Sequence, residues 1–237
     1  MRFLMQLIER HYLRRLFTYI LICCLLFNVP ASVVLAGPEG AEVIHGQVSL
    51  QQSGLNTVIH ASDKSIINYK SFDIARPEVV QFIQPGSNAS VLNRIISANP
   101  TFIDGTLLSN GRGFFVNPAG VIIGNGATIN VSQLVASGLN ISNDSFINGQ
   151  YEFIGGGGSV SNYGDISAKS VYLVGKQVTN IGNINCPAGY VVMAAGDRVF
   201  LGQPGSSVIV EIGSLEPPAN TQTPGDIINE GTVEAAG

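Results

Sequence analysis

The chain has 237 residues; 12% are charged, 45% are hydrophobic, 28 are glycine and none is tryptophan. That length buries a sizeable core, and the apolar fraction excludes a disordered chain. A composition led by Val, Ile, Asn, Ser and Gly suits short strands joined by tight turns and excludes a helical bundle.

Arg2, Arg10, Arg14 and Arg15 precede the apolar run LFTYILICCLLF, and ASVVLAG follows it. A basic start, an apolar middle and small residues before a cleavable bond describe a signal peptide over residues 1–36. Cleavage is expected after Ala36, with Val34 and Ala36 at the two small-residue positions. A membrane anchor that is never cut is the alternative. Cys23 and Cys24 lie mid-run behind bulky Leu21 and Ile22, which is the wrong place for lipidation. Beyond residue 36 there remain 8 Lys and Arg against 15 Asp and Glu. So acidic a chain offers no phosphate-binding surface, and no nucleic-acid partner is expected. Its single thiol, Cys186, allows neither an internal disulfide nor a structural zinc site, and no cofactor is expected.

Residues 37–155 read as an N-terminal cap followed by the first coils of a solenoid. SFDIARPEVVQFIQPGSNASVLNRIIS mixes strand-like runs with Pro77 and Pro85, then reaches Asn93-Arg94-Ile95. A solenoid needs such an irregular block, because its terminal coil otherwise exposes a sheet edge and an apolar cross-section. Within the block, Asn117-Pro118-Ala119-Gly120 separates FFV from VII. Pro118 presets φ at the second turn position, the Asn117 side chain accepts backbone donors, and Gly120 supplies a left-handed exit. These four residues predict a tight, stiff corner between two core strands.

No helical stretch stands out beyond residue 40. Residues 156–237 read as regular coils that stop mid-repeat, at NEGTVEAAG. YEFIG at 151, VYLVG at 171, VVMAAG at 191 and VIVEIG at 208 start strands at a spacing of roughly 20 residues, as solenoid repeats do. Between them recurs N-x-G-x-I/V, at Asn162, Asn180 and Asn229. Coils of that size stack with aliphatics inward, while Asn and Gly take corners that need left-handed backbone. Stacked Asn side chains can then bond from coil to coil. No Lys and Ser/Thr pair follows Gly155 to Gly158 and no helix opens after them, as a phosphate loop requires, so they read as a flexible corner. LEPPANTQTPGD, 215–226, reads as a loop, since Pro217 and Pro218 cannot join a central strand. The expected fold is all-β: a right-handed parallel β-helix with an irregular N-terminal cap. A β-sandwich, the competing architecture, predicts more closely spaced turns and alternating polar faces.

The stretch LNRIISANPTFIDGTLLSNGRGFFVNPAGVIIGNGATINVSQLVASGLNIS, 92–142, resembles the secretion domain of filamentous haemagglutinin-like exoproteins, the large partners of two-partner secretion systems. Carrying the resemblance are Asn93-Arg94-Ile95, Pro100 with Ile103-x-Gly105, Asn110-Gly111, Asn117-Pro118-x-Gly120-Val121 and Gly124, continued by Phe146 to Phe153. It is close over residues 41–155 and looser beyond. Ala119 stands where the family has a second Asn, and a second N-P-N-L motif is not found. The resemblance implies a capped β-helix exported by the general secretory machinery. It also implies recognition by periplasmic domains of an outer-membrane barrel transporter, with folding at the cell surface. Asn93, Arg94 and Asn117 to Gly120 become the residues of transporter recognition or of a structural turn. The longer exoprotein is expected to be an adhesin-like protein, at the surface or extracellular, that meets host or neighbouring cells.

A secreted β-helix enzyme acting on polysaccharide is the alternative from another class. Its acid–base chemistry needs converging carboxylates. The seven Asp beyond the leader are widely spaced, with only a loose pairing of Lys176 and Arg198 one coil apart. His60 and Asp63 stand close but without a nucleophile elbow. The reading is therefore of a chain that is not an enzyme.

Overall fold

The computed structural model describes Arg15 and residues 37–202, 210–213 and 226–236. The expected signal peptide apart from Arg15, the expected cleavage after Ala36 and the expected loop at 215–226 apart from Asp226 lie outside the described residues. From Asn56 the chain winds into stacked coils with three faces, a parallel β-helix. The first face holds Asn56–Ala61, Val79–Ile83, the first half of Thr106–Val116, the first half of Thr128–Ser137, Asp165–Ser167, Asn183–Cys186 and Thr232–Ala235. The second holds Ser65–Tyr69, Ser90–Ile95, the second halves of the two long strands, Ser170–Gly175 and Val191–Ala195. A shorter third face holds Thr101–Ile103, Val121–Ile123, Val160–Asn162, Val178–Asn180 and Ile227–Asn229. Each of these pairings is parallel.

Two antiparallel strands cover the start of the stack. Glu42–His45 pairs with Ser65–Tyr69, and Val48–Ser53 pairs with Asn56–Ala61. Both outermost strands of the first coil are thereby occupied, which is how a solenoid end avoids presenting a bare edge.

Coil length varies. Thr106 pairs with Thr128, Thr128 with Asp165, Asp165 with Asn183 and Asn183 with Thr232, so the second and fourth of these coils are much the longest. Both long coils carry excursions. One includes the helix α1, Asn143–Ile147, and the strand Tyr151–Ile154; the other includes Arg198–Leu201 and Val210–Gly213. Their strands meet in a three-stranded antiparallel sheet, with Arg198–Leu201 in the middle. Tyr151–Ile154 of YEFIG and Val210–Gly213 of VIVEIG, expected as coil strands, therefore belong to this side sheet. Only VYLVG and VVMAAG are coil strands in mutual register, Val171 opposite Val191. Helix α1 was not anticipated from sequence periodicity. It is a single turn and a half, capped by Ser142, whose Oγ accepts the Ser145 N–H at 3.0 Å.

Two apolar layers follow. Inside the coils lie Ile59, Tyr69, Phe72, Phe82, Phe115, Ile129, Ile166 and Ile184. Between the second face and the excursions lie Leu92, Phe114, Val135, Phe146, Phe153, Tyr172 and Val199. Buried on both sides, the second face reads as unbroken apolar runs such as GFFV and VYLV. The first face has solvent on one side and alternates, exposed Thr128 and Asn130 with buried Ile129 and Val131.

The N-x-G-x-I/V corners bond from coil to coil as their stacking predicts, but Gly164, Gly182 and Gly231 do not take the left-handed backbone expected of them; what keeps them glycine is the close approach of the neighbouring coil. Asn162 Nδ2 donates to Asn180 Oδ1, and Asn180 Nδ2 to Asn229 Oδ1, each at 2.8 Å. Asn162 Oδ1 also accepts the Gly164 N–H at 3.1 Å, closing its own corner.

Candidate functional site

The six residues singled out in the sequence occupy two neighbouring coils. Asn93 and Arg94 lie on Ser90–Ile95. Asn117 to Gly120 form the corner that follows Thr106–Val116, and Val116 stands opposite Arg94 in register. The two motifs therefore adjoin at one end of the second face.

The corner is a bonded turn. The Gly120 N–H donates to Asn117 O at 2.8 Å, and Gly120 takes φ +121°. Asn117 is fully buried, with its Oδ1 accepting the Ala119 N–H at 2.9 Å. Its Nδ2 donates to Asn99 O at 3.0 Å and to Thr101 Oγ1 at 3.1 Å, one coil back. Its backbone N–H reaches Ser137 O at 2.9 Å, one coil forward. Asn117 thus ties three coils together. At Ala119 the backbone N–H makes the turn's bond, so the departure from Asn there leaves the turn intact.

Sequence reasoning missed what covers this corner. Gly155 to Gly158, expected as a flexible corner, are laid against it: Gly157 N–H points to Pro118 O at 3.4 Å. A Cβ on Gly158 would come within 2.7 Å of Gly120 Cα, and one on Gly156 within 2.7 Å of Gly138 O. Gly156 and Gly158 serve close packing, whereas nothing lies within 4 Å of a Cβ added at Gly155 or Gly157. Asn99-Pro100, one coil before Asn117-Pro118, was the signal that a preceding coil carries the matching corner.

Asn93 points to the inner core, since its register partners Ile67 and Phe115 both lie there. It is fully buried and donates from Nδ2 to Phe114 O at 3.2 Å. Arg94 faces the other way and holds the first excursion down. Its Nη1 donates to Asn143 Oδ1 at 2.8 Å and its Nη2 to Ile141 O at 2.6 Å. Burial lowers the pKa of this guanidinium from its ordinary value. Nothing in local sequence predicts partners so far along the chain.

Several charged residues elsewhere act as staples. Lys176 pairs with Asp197, and Arg198 Nε donates to Glu152 Oε1 at 2.6 Å, so Lys176 and Arg198 line no common groove. Arg76 Nε donates to Asp104 Oδ2 at 2.7 Å, and its Nη2 to Asn125 Oδ1 at 2.5 Å, linking coils at another corner. The Arg76 hydrogen bond holds the Asp104 carboxyl below its ordinary pKa. Asp63 spends one carboxylate oxygen on the N–H groups of Lys64 and Ser90, at 2.9 and 2.8 Å. Among the described residues no three His, Cys, Asp or Glu side chains gather where they could hold a metal ion.

Against known proteins, residues 36–236 match the TPS secretion domain, TPS standing for two-partner secretion. The chain belongs to the TPS secretion domain family. The match spans the cap, the coils and both excursions of this TPS domain. It resembles the solved HMW1 secretion domain from Haemophilus influenzae at 33% identity and TM-score 0.74, over 84% of this chain and 54% of that one. It is also 36% identical over 118 residues to a heme/hemopexin-binding protein of Haemophilus influenzae. A second such protein, from strain ATCC 51907, is 37% identical over 101 residues. Those segments are 49% and 42% of this chain, but only 13% and 11% of the relatives, so the TPS domain spans a small part of their length. The family is one of secretion domains and not of enzymes.

Proposed function

We propose that this TPS domain is the address by which a larger adhesin-like exoprotein is exported, and that it is read before it folds. The general secretory machinery delivers it to the periplasm by the leader at 1–36. Periplasmic domains of an outer-membrane barrel transporter then bind the extended chain. After passage it folds at the cell surface or outside, where the exoprotein meets host or neighbouring cells.

The family match over 36–236 supports the secretion role, and one observation supports the order of events. Asn93 and Asn117 are both 0% exposed, so neither side chain is within reach of a partner once the coils close. The architecture suits folding on exit. With one end capped by Glu42–His45 and Val48–Ser53, each new coil pairs with the one already formed. Free energy is released at every step, from burial of aliphatics and from each new Asn-to-Asn bond.

Binding to the isolated periplasmic domains of the transporter tests this. The chain diluted from urea is expected to bind, and the chain folded beforehand to bind at least about tenfold more weakly. Equal binding by the folded chain would contradict recognition before folding. No binding in either state would contradict the transporter role itself.

A further inference from the structure

Among the described residues, three buried side-chain atoms that can hydrogen-bond have no partner: Tyr69 Oη, Asn93 Oδ1 and Arg94 Nε. They are not scattered. Asn93 and Arg94 are consecutive on Ser90–Ile95, and Tyr69 ends the adjoining strand, opposite Ile95. All three sit in one strand pair of the second face.

Asn93 is the sharpest of them. It occupies a core position between Ile67 and Phe115, is fully buried, and leaves its carbonyl oxygen bare. Removing such an oxygen from water without a replacement bond destabilises the fold, while an apolar side chain of similar shape carries no such penalty. Stability alone therefore favours Leu over Asn at this position. Asn117, by contrast, has both ends of its carboxamide bonded and is accounted for by the corner it builds. Arg94 repeats the pattern of Asn93: its outer nitrogens are bonded, yet Nε is buried without a partner. Residues that break a local physical rule without local compensation are those expected to serve something other than the fold.

We infer that Asn93 and Arg94 are the polar contacts by which the extended chain is recognised, and that folding withdraws them. In an extended strand the carboxamide and the guanidinium project to opposite sides of the backbone. The partner surface that fits them is a cleft with a carboxylate for Arg94 and a peptide-like donor and acceptor for Asn93. Release then follows from folding: once the second face closes, Asn93 turns into the core and Arg94 is taken up by Ile141 and Asn143. The inference rests on the transporter reading above, and it assigns the contacts to this dipeptide and not to the Asn117 corner.

The test uses Asn93→Leu and Asn93→Met, apolar replacements of comparable reach, in the full chain. Binding of the urea-diluted chain to the transporter's periplasmic domains is expected to fall at least fivefold for both. The denaturation midpoint of the folded chain is expected to stay level or rise. The binding readout is one that a purely structural role would not move, because it is made on the unfolded chain. If both variants bind as the wild type does, the inference is overturned while the transporter reading stands. Lowered midpoints with undiminished binding would overturn it too, by showing that the carboxamide serves the fold, for instance through an internal water. If the wild-type chain itself does not bind, both readings fail together.

Discussion

Phe114→Ala is expected to destabilise the folded chain by about 3–5 kcal/mol, the range for deleting a fully buried phenylalanine. Phe114 is 0% exposed and sits at the centre of the outer apolar layer. Its ring lies 5.1 Å from that of Phe146 and 4.9 Å from that of Tyr151. Both partners belong to the first excursion, so the cavity opens where helix α1 and the side sheet rest on the second face. With total stabilities of about 5–15 kcal/mol, that loss leaves a marginal domain. Urea denaturation gives the size of the effect, and limited proteolysis gives its place: cleavage is expected first within 138–159. Phe102, 46% exposed on the third face, is the comparison, and Phe102→Ala is expected to cost about 1 kcal/mol or less. Equal losses for the two would contradict the double-layered packing.

Gly182→Ala is expected to cost about 3 kcal/mol, the upper end of what overpacking does. The corner glycines stack one per coil at Gly164, Gly182 and Gly231. A Cβ at Gly182 would overlap the Gly164 carbonyl oxygen and come within 2.6 Å of the Tyr163 carbonyl carbon. Both obstacles are backbone held in the coil ladder, and the Gly182 N–H itself bonds Asn162 O at 3.1 Å, so relief requires spreading two coils. The same strain reaches Asn180, whose bonds to Asn162 and Asn229 span that corner. Gly86→Ala is the control, because nothing lies within 4 Å of its added methyl. A denaturation midpoint unchanged in Gly182→Ala would mean that the coils are not packed as closely as described.

Much of this architecture was legible because it is written at corners. Asn and Gly recur where stacked backbones leave no room for other side chains, so N-x-G-x-I/V marked the coils at Asn162, Asn180 and Asn229. The strand period was less trustworthy. YEFIG and VIVEIG look like VYLVG, since a short apolar run carries no sign of which sheet it joins. Burial of the second face on both sides removed the alternation that separates a half-exposed strand from a fully covered one. The two long coils, from Thr128 to Asp165 and from Asn183 to Thr232, hid excursions that no fixed period reveals. The site was legible in part. The Asn117 turn followed from its four residues, but its ties to Asn99, Thr101 and Ser137 depend on coils above and below. The packing of Asn93 and Arg94 was out of reach, because the orphaned oxygen and the bond to Ile141 exist only once distant segments are packed.

Secretion of the chain with and without an outer-membrane barrel partner decides whether it is an export domain. Folded, protease-resistant chain is expected in the medium only when the barrel is present, with periplasmic retention or degradation when it is deleted. Equal release in both strains would contradict the export role, whatever the β-helix looks like.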